Sequence, residues 1–322
     1  MNAFAQPTST ARRATLAGIL SVMGASLVFS LNDVSFKFLS GDYALHQMVL
    51  IRSLIGMMVM LVMIRWRMGN LQVLRSTKTR LHLTRAAFVV FSNLCYFLAL
   101  AAMPLADAVA VFFIAPLMVT ALSVPFLGEK VGPRRWFAVG IGLLGVVVMI
   151  RPGSAAFQMA SLLPLISALA YASMHIMTRR MKGTESALTM TFYVQISFVV
   201  ISGAMGLVVG DGRFSGATDP SLAFLLRAWV WPSMQDWPIL IGVGLSSSFG
   251  GILIAQAYKL CEAGLVAPFE YVSMPIAVVW GVVIFGEWPD AVAWLGIALI
   301  CGAGLYVFWR EAMVTRAERM TG

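Results

Sequence analysis

The chain has 322 residues, of which 60% are hydrophobic and only 11% charged, with a formal net charge of +9 and a mean hydropathy of +0.86. A soluble domain carries about a quarter charged residues, so the composition excludes an ordinary soluble globular protein and points to a polytopic membrane protein. The positive charge does not signal nucleic acid, because the Lys and Arg residues sit in short segments between apolar runs and form no continuous basic face.

A polar segment, residues 1–15, carries Arg12-Arg13 and leads into the first apolar run. No small-residue cleavage site follows that pair, so the run is read as a retained helix and not a removed signal. Crossing a bilayer takes about 20 mostly apolar residues. Ten windows meet or approach that length: 16–38, 45–64, 83–103, 106–126, 136–150, 160–177, 187–209, 238–260, 264–285 and 291–309. The fifth is short and is expected to extend into its flanks or to run with little tilt. Between the seventh and eighth windows, residues 210–237 carry Asp211, Asp219 and Asp236 beside Trp229, Trp231 and Trp237. The apolar core there, 222–231, is too short to span, so it is expected to lie along the interface with its Trp rings at headgroup level. The tail, 311–322, is polar and helix-forming, and no function attaches to it.

Two stretches of the chain say nearly the same thing. Residues 102–151 read AMPLADAVAVFFIAPLMVTALSVPFLGEKVGPRRWFAVGIGLLGVVVMIR, and residues 264–310 read GLVAPFEYVSMPIAVVWGVVIFGEWPDAVAWLGIALICGAGLYVFWR. Pro116 answers to Pro275, Gly128-Glu129 to Gly286-Glu287, and Trp136 to Trp294. After the Gly-Glu pair the first copy carries Lys130, Arg134 and Arg135, whereas the second carries only Asp290. Cytoplasmic loops collect Lys and Arg, so the copies are expected to sit in opposite orientations. Inverted repeats of this kind mark alternating-access transporters.

With the N-terminus inside, three of the 23 basic residues fall in outer segments (Arg151, Arg213, Arg227) and three in the spans (Lys37, Arg52, Lys259), leaving the other seventeen on the cytoplasmic side. The opposite orientation reverses that balance, so both termini are expected in the cytoplasm. The expected fold is an all-α integral membrane protein. It has ten transmembrane helices in two inverted five-helix repeats, residues 16–151 and 160–310.

In the order, spacing and pairing of these motifs the chain resembles the EamA-type permeases of the drug/metabolite transporter superfamily, from about residue 16 to 310. The resemblance implies a central cavity lined mainly by helices 1, 3, 4, 6, 8 and 9, with helices 5 and 10 at the periphery. Residues 139–148 and 295–305, which are small, apolar and uncharged, suit a peripheral scaffold or a homodimer contact through helices 5 and 10. Members similar to this chain move riboflavin, S-adenosylmethionine or amino acids, some inward and others outward.

An ionisable group inside a bilayer costs at least a few kcal/mol, so each is a candidate for function. The first span offers Asn32, Asp33 and Lys37. Asp33 and Lys37 are four apart, share a helical face, and are expected either to pair or to serve transport. Arg52 is expected to be structural or to snorkel to the interface, and His46 to be solvated at the outer mouth. Asp107 is expected to complement the N-terminus of the fourth span. Glu262 and Lys259 are expected to pair at the surface, and His175 to pack. Glu270, beside Tyr271, is expected to face the cavity and bind a polar substrate group or carry a proton. The alternative is a Glu paired with Lys259 or Arg52. Tyr96, Phe112 and Tyr171, with Asn93, Ser247 and Gln256, are expected along the cavity, unless the rings face lipid or core. Hydroxyl and amide groups among rings suit a flat, polar, weakly charged solute. Pro116 and Pro275 each remove a backbone hydrogen bond, and are expected to kink matching helices, as hinges or as static bends.

Nothing in the chain favours an enzyme. It has no His-Glu-x-x-His helix, no facing pair of Asp residues, no Gly-x-Ser-x-Gly, and three His far from a convincing nucleophile. The lack of a Gly-rich phosphate loop excludes an ATP-driven pump on this chain, and neither a repeated pore loop nor a charged ring suggests a channel. Cys95, Cys261 and Cys301 fall in or beside apolar segments and read as packing residues. No cofactor or metal is expected. The expected function is secondary transport of a small organic metabolite across the bacterial inner membrane, with the bilayer and that metabolite as partners. Uptake of a flat heterocycle such as riboflavin leads. Uptake of S-adenosylmethionine, a cation able to use Asp33 and Glu270, stands behind it. Amino-acid or drug export and a non-transporting membrane scaffold follow.

Overall fold

The apolar windows become helices in the computed structural model, which describes residues 9–68, 74, 76, 78–128, 131–153, 158–180, 187–260 and 269–321. The helices are α1 (Ser9–Leu39), α2 (Leu45–Met68), α3 (Thr79–Ala102), α4 (Leu105–Phe112), α5 (Ala115–Leu127), α6 (Pro133–Ile150), α7 (Leu162–Arg180), α8 (Ala187–Val209), α9 (Pro220–Leu226), α10 (Trp237–Leu260), α11 (Ser273–Phe285) and α12 (Ala291–Thr321). No strand occurs among the described residues. The 24-residue helices α2, α3 and α10 run about 36 Å, more than the ~30 Å hydrocarbon core of a bilayer. Eight helical segments among the described residues are long and apolar enough to cross a membrane, with Ser273–Phe285 and Ala291–Val307 as shorter apolar helices. The fifth window begins earlier than its apolar run, at Pro133, and gains the length it lacked.

Large apolar side chains cover the outside of the bundle. Leu20, Val62, Phe137, Leu207 and Val283 are all exposed, an arrangement that water would penalise and acyl chains accept. Fully buried side chains of α1, α3, α4 and α5, among them Phe36, Leu100, Leu105 and Leu117, mark the centre with Ile114 between α4 and α5. Around them α1 packs on α10, α3 on α7, α2 on α8 and α10, and α6 on α12. The last contact accounts for the small residues of the fifth and tenth windows. A Cβ on Gly145 would stand 2.8 Å from Ile300, and one on Gly296 would stand 2.4 Å from Met149, so these glycines let α6 and α12 approach within one chain.

The fourth window is not one continuous helix. It breaks at Phe113–Ile114 into α4 and α5, and a second break at Tyr271–Val272 precedes α11. Pro116 and Pro275 therefore do not bend the middle of a helix as the sequence suggested. Each lies within the first three residues of a half-helix, where the missing N–H would have had no intrahelical partner and the fixed φ favours the first turn. Both half-helices have 13 residues, and both end on a glycine in the left-handed conformation, Gly128 and Gly286, each with φ 68°. A residue with a Cβ is strained there, which is why the turn carries Gly in both copies. Glu129 and Lys130, like Cys261 and Glu262, lie outside the described residues.

One expectation near the Lys37 end of the bundle, that for His46, needs correction. Residues 210–237 pack on the bundle there. Asp219 caps α9 by accepting from the Leu222 amide at 2.9 Å, and Phe224 of that short helix is buried in the core. Ser221 Oγ donates to the Leu98 carbonyl at 2.8 Å, and Gln47 Nε2 donates to the Val230 carbonyl at 2.5 Å. The segment is thus pinned across the ends of α2 and α3, because its backbone groups find partners there. His46 is correspondingly not solvated: it is 2% exposed, with its ring 5.8 Å from that of Trp229.

Candidate functional site

Three helices bring opposite charges together in the bundle. From α1, Asp33 accepts a hydrogen bond from the Tyr96 hydroxyl of α3 at 2.9 Å. Arg52 of α2 lies within electrostatic reach of Asp33, and its Nη2 donates to Asn93 Oδ1 at 3.4 Å. The guanidinium sits among three rings, 5.3 Å from Phe36, 5.4 Å from Phe97 and 5.0 Å from Phe198. Phe36 and Phe97 stack at 3.9 Å, closing the cage from α1 and α3. Arg52 is only 5% exposed and does not snorkel. A buried cation needs both an opposite charge and polarisable surroundings, and here it has the Asp33 carboxylate and the π-faces.

From this knot a run of aromatic rings leads into the centre. Tyr96 lies 5.0 Å from Phe112, Phe112 lies 5.3 Å from Tyr171, and Tyr171 meets His175 edge-on at 4.5 Å. Phe112 and Phe113 bracket the end of α4, so the helix break presents the rings. Phe113 in turn lies 5.2 Å from Tyr271 at the other break, and the Tyr271 hydroxyl donates to the Phe113 carbonyl at 3.4 Å. The two breaks therefore meet at one point, and one supplies a hydrogen bond that the other lacks. Glu270 adjoins this point, with both its carboxylate and the Arg85 guanidinium within electrostatic reach of Tyr171.

The structure separates two residues that the sequence placed together. Asp33 and Lys37 share a face of α1, yet Lys37 does not pair with Asp33. Its ammonium lies 2.9 Å from Glu287 Oε1 and donates to the Met103 carbonyl at 2.6 Å, while Asp33 accepts from the Tyr96 hydroxyl. Long-range partners at the right depth outcompete a neighbour one turn away. Asn32 is buried, and its Oδ1 makes no hydrogen bond among the described residues. Asn93 gives its Nδ2 to the Val89 carbonyl at 3.2 Å, keeping Oδ1 towards Arg52. Ser247 is half-buried, whereas Ser248 beside it donates to the Gly56 carbonyl at 3.1 Å. Gln256 lies on the backbone of α10, and its side chain, like those of Tyr258 and Lys259, is outside the described residues.

Several contacts escaped sequence reasoning. Arg85 at the far end donates from Nε to Thr178 Oγ1 at 2.7 Å and from Nη1 to the Met190 carbonyl at 3.2 Å, tying α3 to α7 and α8. At the Lys37 end Arg151 pairs with Asp290, which also caps α12 by accepting from the Ala293 amide at 2.8 Å. The Arg151 hydrogen bond and then that amide hold the Asp290 carboxyl below the usual carboxylate range. For the Lys37–Glu287 pair the sequence offered the repeated Gly-Glu motif, without an indication of its partner.

The EamA-like transporter family model matches the chain twice, over residues 16–151 and 158–309. Among curated relatives, a riboflavin transporter of Vibrio cholerae serotype O1 is 29% identical over 308 residues, covering 94% of this chain and 97% of that protein. An S-adenosylmethionine uptake transporter of Rickettsia prowazekii is 25% identical over 296 residues, covering 92% and 94%. A solved crystal structure superposes with a TM-score of 0.62 at 19% identity, covering 91% of this chain and 95% of that one, which is a likeness of fold. A multi-pass helical bundle with a polar, aromatic interior and two matches to one family model leads to one conclusion: the chain belongs to the EamA-like transporter family.

Proposed function

We propose that this protein takes up riboflavin or a similar flat heterocycle across the bacterial inner membrane by alternating access between two inverted five-helix halves, with both termini in the cytoplasm. The observation that carries the substrate class is the aromatic run from Tyr96 through Phe112 to Tyr171, at ring spacings of 5.0 and 5.3 Å. Rings stack on a planar solute, and the remaining hydroxyl and amide groups can hydrogen-bond its polar edge. The riboflavin transporter among the relatives points the same way.

Asn93, Tyr96, Phe112 and Tyr171 are the binding residues of this reading, with Asn32, Ser247, Gln256 and Tyr271 lining the path and Glu270 as the coupling group. The breaks before Pro116 and Pro275 serve as hinges, since broken helices supply movable half-helices at transporter centres. Pairing of two chains through the outward faces of α6 and α12 belongs to the same proposal. Those faces frame an apolar groove of Phe137, Ile141, Leu299 and Tyr306. A second reading, S-adenosylmethionine uptake, is favoured by the Glu270 carboxylate beside Tyr171 and by the relative of that name.

Labelled riboflavin supplied to a riboflavin-requiring bacterium expressing this chain decides between them. Saturable uptake suppressed by unlabelled riboflavin and not by S-adenosylmethionine or amino acids supports the flavin reading. No uptake above empty vector, with the protein present in the membrane, removes it.

A further inference from the structure

The Lys37 end of the bundle is closed by charge. Lys37 Nζ lies 2.9 Å from Glu287 Oε1 and donates to the carbonyls of Met103 at 2.6 Å and Leu100 at 3.4 Å, and Glu287 Oε2 accepts from the Leu105 amide at 3.0 Å. One ion pair thereby ties the end of α1 to the α3–α4 connection and to the turn between α11 and α12. The two side chains are 11% and 27% exposed, and the ammonium stands 5.2 Å from the Phe285 ring. Beyond the pair lies a polar cavity of about 230 Å³, lined by Asp107, Arg151, Gln158, Glu287 and Asp290.

We propose that Lys37 and Glu287 form the gate of the transport path at this end, and that the structure holds it shut. This rests on the alternating-access reading and names the contact that has to part. Lys37, Leu100, Met103 and Leu105 belong to the first stretch matched by the family model, and Glu287 to the second. Rocking one stretch against the other cannot open this end with the pair intact. Charge-assisted hydrogen bonds between half-buried groups are among the stronger polar contacts, so the closed state is well defined. The polar cavity beside them allows both groups to hydrate as they separate, which an apolar seam would not. A closed and an open state of comparable free energy are what a transporter needs.

The test reads accessibility and needs no substrate. Val34 is 7% exposed and stands one turn deeper than Lys37 on the same face of α1. Val34→Cys is placed in a chain with Cys95, Cys261 and Cys301 changed to Ala, and a membrane-impermeant thiol reagent is applied. A separate cysteine at the exposed Trp288 reports which side of the membrane carries this end. Glu287→Gln and Lys37→Met are expected to raise Val34→Cys labelling roughly tenfold over the parent. The exchange Lys37→Glu with Glu287→Lys is expected to bring it back. A short bifunctional thiol reagent joining Lys37→Cys to Glu287→Cys is expected to suppress riboflavin uptake.

Unchanged labelling in both single variants, with Trp288→Cys labelled normally, overturns the gate. Glu287→Gln keeps its shape and an oxygen for the Leu105 amide, so it decides alone if Lys37→Met fails to reach the membrane. Absence of riboflavin uptake in the unmodified protein strikes the substrate reading and leaves the labelling result standing.

Discussion

Deleting one hydroxyl, Tyr96→Phe, tests whether the charge knot is a unit. The substitution keeps the ring that faces Phe112 at 5.0 Å and removes only the donor to Asp33 at 2.9 Å. A hydrogen bond to a charged group contributes about 1.5–3 kcal/mol in soluble proteins, and couplings between membrane helices average ~0.6 with a maximum near 1.7 kcal/mol. The buried position argues for the top of the membrane range, and the ordinary 2.9 Å length argues against exceeding it. A coupling of about 1.5 kcal/mol is therefore expected between Tyr96→Phe and Asp33→Leu, which leaves the hydroxyl no acceptor. The assay is a double-mutant cycle on the purified protein, unfolded by dodecyl sulfate titration in mixed micelles and followed by loss of helicity. The double variant is expected to be less destabilised than the two singles summed, by that amount. Singles that add to within about 0.3 kcal/mol would refute the coupling of hydroxyl and carboxylate.

Three further predictions come from other parts of the molecule. Glu270→Gln is expected to lower uptake or shift its pH dependence at unchanged protein level, and uptake like the unmodified protein at every pH removes Glu270 from the mechanism. Gly206→Ala would place a Cβ 2.1 Å from the Trp229 ring and is expected to cost about 1–3 kcal/mol, whereas Gly203→Ala on the same helix, with nothing within 4 Å, is expected to be neutral or stabilising; equal behaviour of the two contradicts the packing of Trp229 on α8. The Ser233 hydroxyl, and then that of Tyr43, hold Asp236 below the usual carboxylate range. A depressed carboxyl contributes stability above its unfolded value and loses it as pH falls through the folded one. Acid titration of Trp231 and Trp237 fluorescence is thus expected to show the 210–237 segment loosening, and Asp236→Asn to abolish that step.

Much of the architecture was legible because lipid imposes a simple rule. Apolar runs of sufficient length had to become helices with their backbone groups satisfied internally, and eight segments among the described residues are long and apolar enough to cross a membrane. The repeated Gly-Glu turns were legible too, since a left-handed C-cap asks for glycine wherever it occurs, at Gly128 as at Gly286. The aromatic and amide residues Asn93, Tyr96, Phe112 and Tyr171 were recognisable as a group, because polar atoms in apolar spans seek the interior. The helix breaks were not. Both prolines were visible, but a proline inside an apolar run reads as a kink, and only the surrounding packing decides that the chain turns three residues before Pro116 and four before Pro275.

By itself the sequence determined that this chain lives in a bilayer, that it folds as helices and that its two halves are alike, because burial of backbone and apolar side chains depends on local composition. Which charges pair was decided by the tertiary structure alone. Lys37 had Asp33 one turn away and instead reached Glu287, while Asp33 took the Tyr96 hydroxyl. Ion pairing depends on depth, distance and what else satisfies each group. Those are set by how α1, α2, α3 and α11 pack, and no spacing along the chain records them.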